Sequence, residues 1–162
     1  MVLSLKDFQT YDAKALEAEV LAYWEREKIP SKLAANRKGA KKFFVLDGPP
    51  YVNALPHVGH VKTTTVKDLW TRFKHMQGFD TFIQAGFDCH GLPVEVIVEK
   101  ELGITSKKEI VEKGIAAFDE ACLSKVANNE KHWLAYYRRL GAWRAFFEPY
   151  FTLKPYYIES GW

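Results

Sequence analysis

Phe43-Phe44-Val45-Leu46-Asp47-Gly48-Pro49-Pro50-Tyr51-Val52-Asn53-Ala54-Leu55-Pro56-His57-Val58-Gly59-His60 is the stretch that decides the fold. Its first four residues are a continuous apolar run that stops at a Gly-Pro-Pro turn, the pattern of a short buried strand, because proline cannot donate to a sheet ladder. From His57 onward, Val58, Val61, Thr65, Leu69, Phe73 and Met76 repeat on one face as far as Gly78, which predicts a helix of about five turns. Asp80-Thr81-Phe82-Ile83-Gln84 then reads as a second buried strand. Strand, loop, helix and strand make a βαβ unit, so the sheet is expected to be parallel.

Working outward, residues 13–28 carry Leu16, Val20 and Trp24 every four positions between charged residues, which describes an amphipathic lead-in helix. Arg37, Lys38, Lys41 and Lys42 surround Gly39 in a basic stretch, read as a solvated linker, with phosphate contact as the other use of such a cluster. On the carboxyl side, residues 94–102 read as a helix ending at Gly103, and Ser106 with Glu109 fits a capping box. A long aromatic-rich helix is expected over 115–140, stopped by Gly141. A third strand is a candidate within 145–151, and the tail 152–162 reads as a helix that has barely begun. Two firm strands are few for a doubly wound sheet, and this shortage, with the apolar tail, leads to the expectation that the chain is a fragment.

Composition narrows the class. With 48% hydrophobic residues and a formal net charge of +3, the sequence can bury one ordinary core and carries too little charge to argue for nucleic acid by itself. Neither a signal peptide nor an apolar run of membrane-crossing length is readable. Cys89 and Cys122 are the two cysteines, far apart and outside any Cys-x-x-Cys pattern, which suits reduced thiols and a cytoplasmic location.

The chemistry concentrates where the first strand meets the long helix. In an open α/β sheet, ligands sit beyond the carboxyl ends of the strands, and the following helix offers N–H groups and a positive dipole end to an anion. His57 and His60 are three apart there, so both rings lie on one face and can reach one phosphate group, while Gly59 leaves room for a base or ribose. No Walker loop and no Gly-x-Gly-x-x-Gly pattern occurs, so kinase-like and dehydrogenase-like phosphate cradles are unsupported. Three plainer or rival readings stand beside this one. The histidines could only cap the helix; His57, His60, Cys89 and His90 could form a metal module, although adjacent Cys and His side chains aim poorly at one ion. Trp133, Tyr136, Tyr137, Arg138 and Arg139 could form a nucleic-acid-binding helix, but their spacing is more simply that of core aromatics.

The run from Asp47 to Tyr51 leading into His57-Val58-Gly59-His60 resembles the first signature of class I aminoacyl-tRNA synthetases, with valine at its second position. The segment Gly86-Phe87-Asp88-Cys89-His90-Gly91-Leu92-Pro93-Val94-Glu95 resembles the isoleucine-specific branch, which usually has tryptophan where Phe87 stands. The His90-Gly91-Leu92-Pro93 run is the ground for isoleucine over valine or leucine relatives. This resemblance implies an α/β fold, the Rossmann-like parallel-sheet nucleotide-binding fold of the family, present as its first half only. Residues 1–40 would be the lead-in helix and basic linker, 41–151 the first half of the catalytic domain, and 152–162 the approach to the editing insertion.

The resemblance also implies roles. His57 and His60 would be catalytic, and Gly48, Pro50, Tyr51, Asn53 and Gly59 would join them in binding ATP, with Mg²⁺ arriving with the nucleotide and no protein-bound metal. Asp88 would hold the α-ammonium of L-isoleucine, helped by the Pro49 carbonyl, with Phe87 and His90 shaping the same pocket. tRNA(Ile) would be the partner of the complete enzyme, and no membrane is implied. The family's Lys-Met-Ser-Lys-Ser signature is absent from these 162 residues, so the chain alone is expected to activate isoleucine weakly or not at all.

Overall fold

In the computed structural model, residues 12–45 and 48–162 are described. Leu46, which the sequence puts in the first strand, and Asp47 lie outside them, as does the segment before Asp12. Helix α1 (Ala13–Arg26) starts where Asp12 accepts hydrogen bonds from the Lys14 and Ala15 amides at 2.9 and 3.2 Å. What reads as a linker after it contains a second helix, α2 (Ile29–Asn36). Its signals are local and weak: a left-handed turn at Lys28, with φ of 52°, and a proline at its start, where the missing N–H costs nothing.

Strand β1 (Lys42–Phe44), helix α3 (Val58–Met76) and strand β2 (Asp80–Phe82) form the expected parallel unit, in the register Lys42↔Asp80, Phe43↔Thr81 and Phe44↔Phe82. Both strands are shorter than the apolar runs suggest. Strand β3 (Gly86–Phe87) follows within the loop after β2, and pairs in parallel with β4 (Tyr150–Phe151), the third strand foreseen near 145–151. Helices α4 (Leu92–Glu101), α5 (Lys107–Lys113) and α6 (Ile115–Arg139) intervene, and α7 (Pro155–Gly161) closes the chain with its residues exposed. At the start of α5 the expected capping box is replaced by a different arrangement. Glu109 reaches back to the hydroxyls of Thr105 and Ser106, at 2.6 and 3.1 Å, and Ser106 makes no side-chain cap.

The core does not lie where the first helix pattern points. Val52, Ala85, Phe87, Val94, Val98, Phe118, Val126, Trp133 and Tyr137 pack together, so the dry centre is the layer between β3, α4 and α6. On α3 the buried positions are Thr64, Asp68, Thr71 and His75, while Val58, Leu69, Phe73 and Met76 are exposed. The apolar stripe of α3 therefore faces away from this core. Phe44 and Phe82, read as buried, stack on each other at 6.1 Å and remain about half or more exposed.

The polar inner face of α3 is paid for by specific partners. Asp68 accepts from Arg72 Nε at 2.5 Å and from the Trp143 amide at 2.8 Å, while Arg72 lies between the rings of Trp24 and Trp143, 5.3 and 4.9 Å from their centroids. Arg72 also donates to the Gly141 carbonyl at the left-handed turn that ends α6, where φ is 63°. One carboxylate thus ties α3 to the turn after α6. Replacing Asp68 with alanine is expected to leave Arg72 Nε and the Trp143 amide without their acceptor and to cost about 2–3 kcal/mol. Urea unfolding would read this as a lower midpoint with an unchanged slope.

Candidate functional site

Backbone pairing brings the two signature segments side by side. Asp88 N–H donates to the Pro50 carbonyl at 2.9 Å, Val52 N–H donates to the Asp88 carbonyl at 3.0 Å, and Tyr51 and Asp88 form a parallel bridge. Residues 50–52 therefore flank β3 on one side and β4 flanks it on the other. Alternation along a strand then sorts the side chains. Phe87 and Cys89 turn into the core, whereas Tyr51 and Asp88 stand on the other face, exposed and half-buried.

This alternation corrects one expectation. Phe87 has no exposed surface and packs against Trp133, Tyr137 and Phe151, so it supports the site from behind instead of walling an open pocket. Gly86, on the Asp88 side, is required by sterics: a Cβ there would lie 2.1 Å from the Tyr150 ring. Asp88 Oδ1 accepts from His90 N–H at 3.4 Å, a long contact that leaves the carboxylate capacity for a stronger donor. His90 is exposed, Gly48 is exposed, and Pro49, Pro50 and Asn53 are half-buried along the same edge.

The histidine pair is held by reciprocal capping. His57 is the N-cap of α3; its Nδ1 accepts from Gly59 N–H at 3.1 Å, and His60 Nδ1 accepts from His57 N–H at 3.1 Å. The rings lie 3.8 Å apart at 37°. A ring nitrogen that accepts is unprotonated, so in neutral imidazole the proton sits on Nε2, and each ring offers one donor away from the helix. The arrangement thus caps the helix, as in the plainer reading, and leaves Nε2 as the remaining polar atom of each ring. The Gly59 N–H is already taken by His57, so the helix amides are less open to an anion than the sequence suggests. Gly59 itself is explained by His57, whose Cε1 would be 2.9 Å from a Cβ at that position. His60 has its pKa lowered from 6.5, first by burial and second by the neighbouring His57, which favours the neutral ring.

Two contributors on α6 escaped the sequence reading. Asn129 donates Nδ2–H to the Val52 carbonyl at 2.8 Å, and Trp133 donates Nε1–H to the Ala54 carbonyl at 2.9 Å. Trp133 also meets the His60 ring edge to face at 4.7 Å. The available signal was their spacing of one helical turn on the buried face, which marks packing and says nothing of the loop being held. Two cavities, of about 530 and 520 Å³, lie between α1, α2 and α6 and along α1, away from the histidines. The histidine edge is an open surface. The metal module fares poorly: Cys89 is buried, donates its S–H to the Phe87 carbonyl at 3.4 Å, and burial first of all pushes its pKa up to about 11. Among the described residues no group of three or more His, Cys, Asp or Glu could hold one ion.

The family model described as tRNA synthetases class I (I, L, M and V) matches residues 19–162. The chain is 50% identical over 147 residues to an isoleucine–tRNA ligase of Thermus thermophilus, covering 91% of this chain and 14% of that protein. It is 42% identical over 157 residues to the isoleucine–tRNA ligase of Pyrococcus abyssi, covering 96% of this chain and 15% of that one. It thus spans about a seventh of the length of these curated relatives. Among solved structures, the LeuRS of Agrobacterium radiobacter K84, in a ternary complex with tRNA and LeuAMS, superposes with a TM-score of 0.68 at 22% identity. That match covers 92% of this chain and 16% of that one, and shows the shared fold.

Two outcomes follow from the capping geometry. Gly59→Ala is expected to displace the His57 ring, yet to change unfolding free energy by less than about 1 kcal/mol, because the gain in helix propensity offsets the lost cap. Shifted His57 ring resonances at nearly unchanged stability would be the sign. Folding lowers the His60 pKa, so its contribution to stability is full above pH 6.5 and lost as pH falls below that through the lowered value. In thermal unfolding between pH 7.5 and 5, His60→Gln, which keeps an acceptor without titrating, is expected to flatten part of the pH dependence.

Proposed function

The chain belongs to the class I tRNA synthetases of the isoleucine, leucine, methionine and valine group, and from that membership we propose that it supplies the nucleotide and amino-acid end of an isoleucine–tRNA ligase. The observation that carries the reading is the backbone pairing of Pro50 and Val52 with Asp88, which sets the histidine segment and the aspartate on one sheet edge. The isoleucine–tRNA ligases at 42–50% identity support the choice of amino acid. In the reaction, the isoleucine carboxylate attacks the α-phosphorus of ATP, giving isoleucyl-adenylate and pyrophosphate, and a terminal ribose hydroxyl of tRNA(Ile) then attacks the acyl carbon, forming the ester and releasing AMP and a proton.

Little covalent work falls to these residues. Asp88 receives the α-ammonium in a charge-assisted hydrogen bond, with the Pro49 carbonyl as second acceptor, which fixes the carboxylate relative to the phosphates. His57 and His60 give their Nε2–H donors to the phosphate oxygens, where negative charge builds up in the transition state. Gly48, Pro50, Tyr51, Asn53 and Gly59 line the nucleotide edge, and His90 borders the amino acid. Mg²⁺ carried by ATP would neutralise phosphate charge, and its ligands would come from the nucleotide. Residues 41–151 form the first half of the catalytic domain in this reading, preceded by the lead-in helices and followed by the connection at 152–162. Its work would be cytoplasmic; no helix among the described residues is long and apolar enough to cross a membrane. Telling isoleucine from valine rests on one methylene, about 1–3 kcal/mol, a limit for which isoleucine activation is the standard example.

Amino-acid-dependent exchange of pyrophosphate into ATP, measured on the complete protein carrying this segment, tests the proposal. Isoleucine is expected to support the fastest exchange, ahead of valine and leucine, and Asp88→Ala to abolish it. Exchange fastest with valine or leucine would reassign the substrate, and none with any amino acid would end the reading. The 162-residue chain by itself is expected to show little or no exchange.

A further inference from the structure

We infer that Trp133, with Asn129 one turn before it on α6, is a positioning residue for the histidine pair: a helix outside both signature segments sets where their donors point. Three contacts carry this. Asn129, buried on α6, donates to the Val52 carbonyl at 2.8 Å; Trp133 donates to the Ala54 carbonyl at 2.9 Å; and the Trp133 ring stands edge to face against His60 at 4.7 Å. The first two fix the backbone that leads from the Asp88 bridge towards α3. The third fixes the ring that emerges from α3.

The arrangement is economical in a physical sense. Residues 53–56 have no sheet partner among the described residues, and Pro56 has no N–H to give to one. A loop of this kind samples many conformations unless its carbonyls are claimed. Two buried side-chain donors on the 25-residue α6 claim the carbonyl at the entrance of this loop, Val52, and one within it, Ala54. The same indole touches Phe87, whose backbone precedes Asp88, at a ring separation of 6.4 Å. Trp133 is therefore in contact with both halves of the site at once, and a displacement of its ring moves the histidines relative to the aspartate. A misplacement of about 1 Å in such a constellation can cost up to a hundredfold in rate.

The inference rests on the proposed function only for its kinetic readout, and the test separates the two. In the complete protein, Trp133→Leu removes both contacts, Trp133→Phe keeps a ring edge without the N–H, and Asn129→Leu removes one loop anchor. Without any substrate, the rate at which diethylpyrocarbonate modifies His60, read by mass spectrometry against exposed His132, reports how the ring is held. Trp133→Leu is expected to raise the relative His60 rate about fivefold or more, with Trp133→Phe restoring most of the protection. Amide deuterium exchange over 53–55 should rise in Trp133→Phe, which lacks the anchor at Ala54, and in Asn129→Leu, which lacks the one at Val52. In pyrophosphate exchange, Trp133→Leu is expected to lower kcat about ten- to a hundredfold while the KM for isoleucine stays within about twofold. A variant that is merely less stable, with His60 modified at the unaltered rate and the loop amides unchanged, would overturn the inference. If Trp133→Leu fails to fold, the Trp133→Phe and Asn129→Leu amides decide by themselves. Absence of exchange in the unaltered protein would defeat the function and leave the His60 and amide readouts to judge Trp133.

Discussion

The reciprocal pair of backbone hydrogen bonds between Asp88 and residues 50 and 52 is the constraint on which the site depends. Without it, the Gly-Pro-Pro turn and the loop after β2 would be two separate surface segments. With it, the strand parity of the second segment is fixed, so Phe87 and Cys89 are driven inward and Asp88 outward. The same pairing sends Val52, with no exposed surface, into the core layer beside Phe87. A burial decision and a site decision are thus one event. Shifting the register by one residue would bury the carboxylate and expose the aromatic ring, which the core could not tolerate.

Helix α3 shows a different division of labour. Its inner face is polar and works through specific partners: Asp68 with Arg72 and the Trp143 amide, Thr71 with the Lys67 carbonyl, and His75 Nδ1 with Thr81, His75 Nε2 being buried without a partner. Its outer face carries Val58, Leu69, Phe73 and Met76, with Phe44 and Phe82 exposed on the paired strands. Exposed apolar surface arranged this way is what a further layer of protein ordinarily covers, and the curated relatives are about seven times longer than this chain. On α6, Phe118, Val126, Trp133 and Tyr137 are buried, and the exposed apolar residues include Ile115 and Leu123.

Electrostatics at the histidines follows from capping. Because both Nδ1 atoms accept from backbone amides, charging either ring breaks the interaction that orders it, and burial of His60 adds to that cost. For His60, burial favours the neutral ring. Neutral N–H groups can stabilise charge that develops on phosphate oxygens without first having to give up strong hydration.

The order of elements, the βαβ unit and the nearness of His57 and His60 were legible in the sequence, because each depends on neighbours within a turn or a strand. The helix ends at Gly78 and Gly141 are local in the same way, as is the resemblance that two contiguous signature segments carry. What the sequence could not supply was any relation between residues far apart along the chain. Periodicity marked an apolar face on α3 but could not tell whether the core or open surface would meet it, and the polar face won because Asp68 finds Trp143 from 75 residues away. The family resemblance places Phe87 in the pocket beside Asp88, and only the register with residues 50–52 reveals that these adjacent strand residues face opposite ways. Asn129 and Trp133 lie 77 and 79 residues from the carbonyls they hold. A pattern of apolar spacing records that such residues are buried; which backbone groups they satisfy there is decided when the chain folds and buried donors must find acceptors.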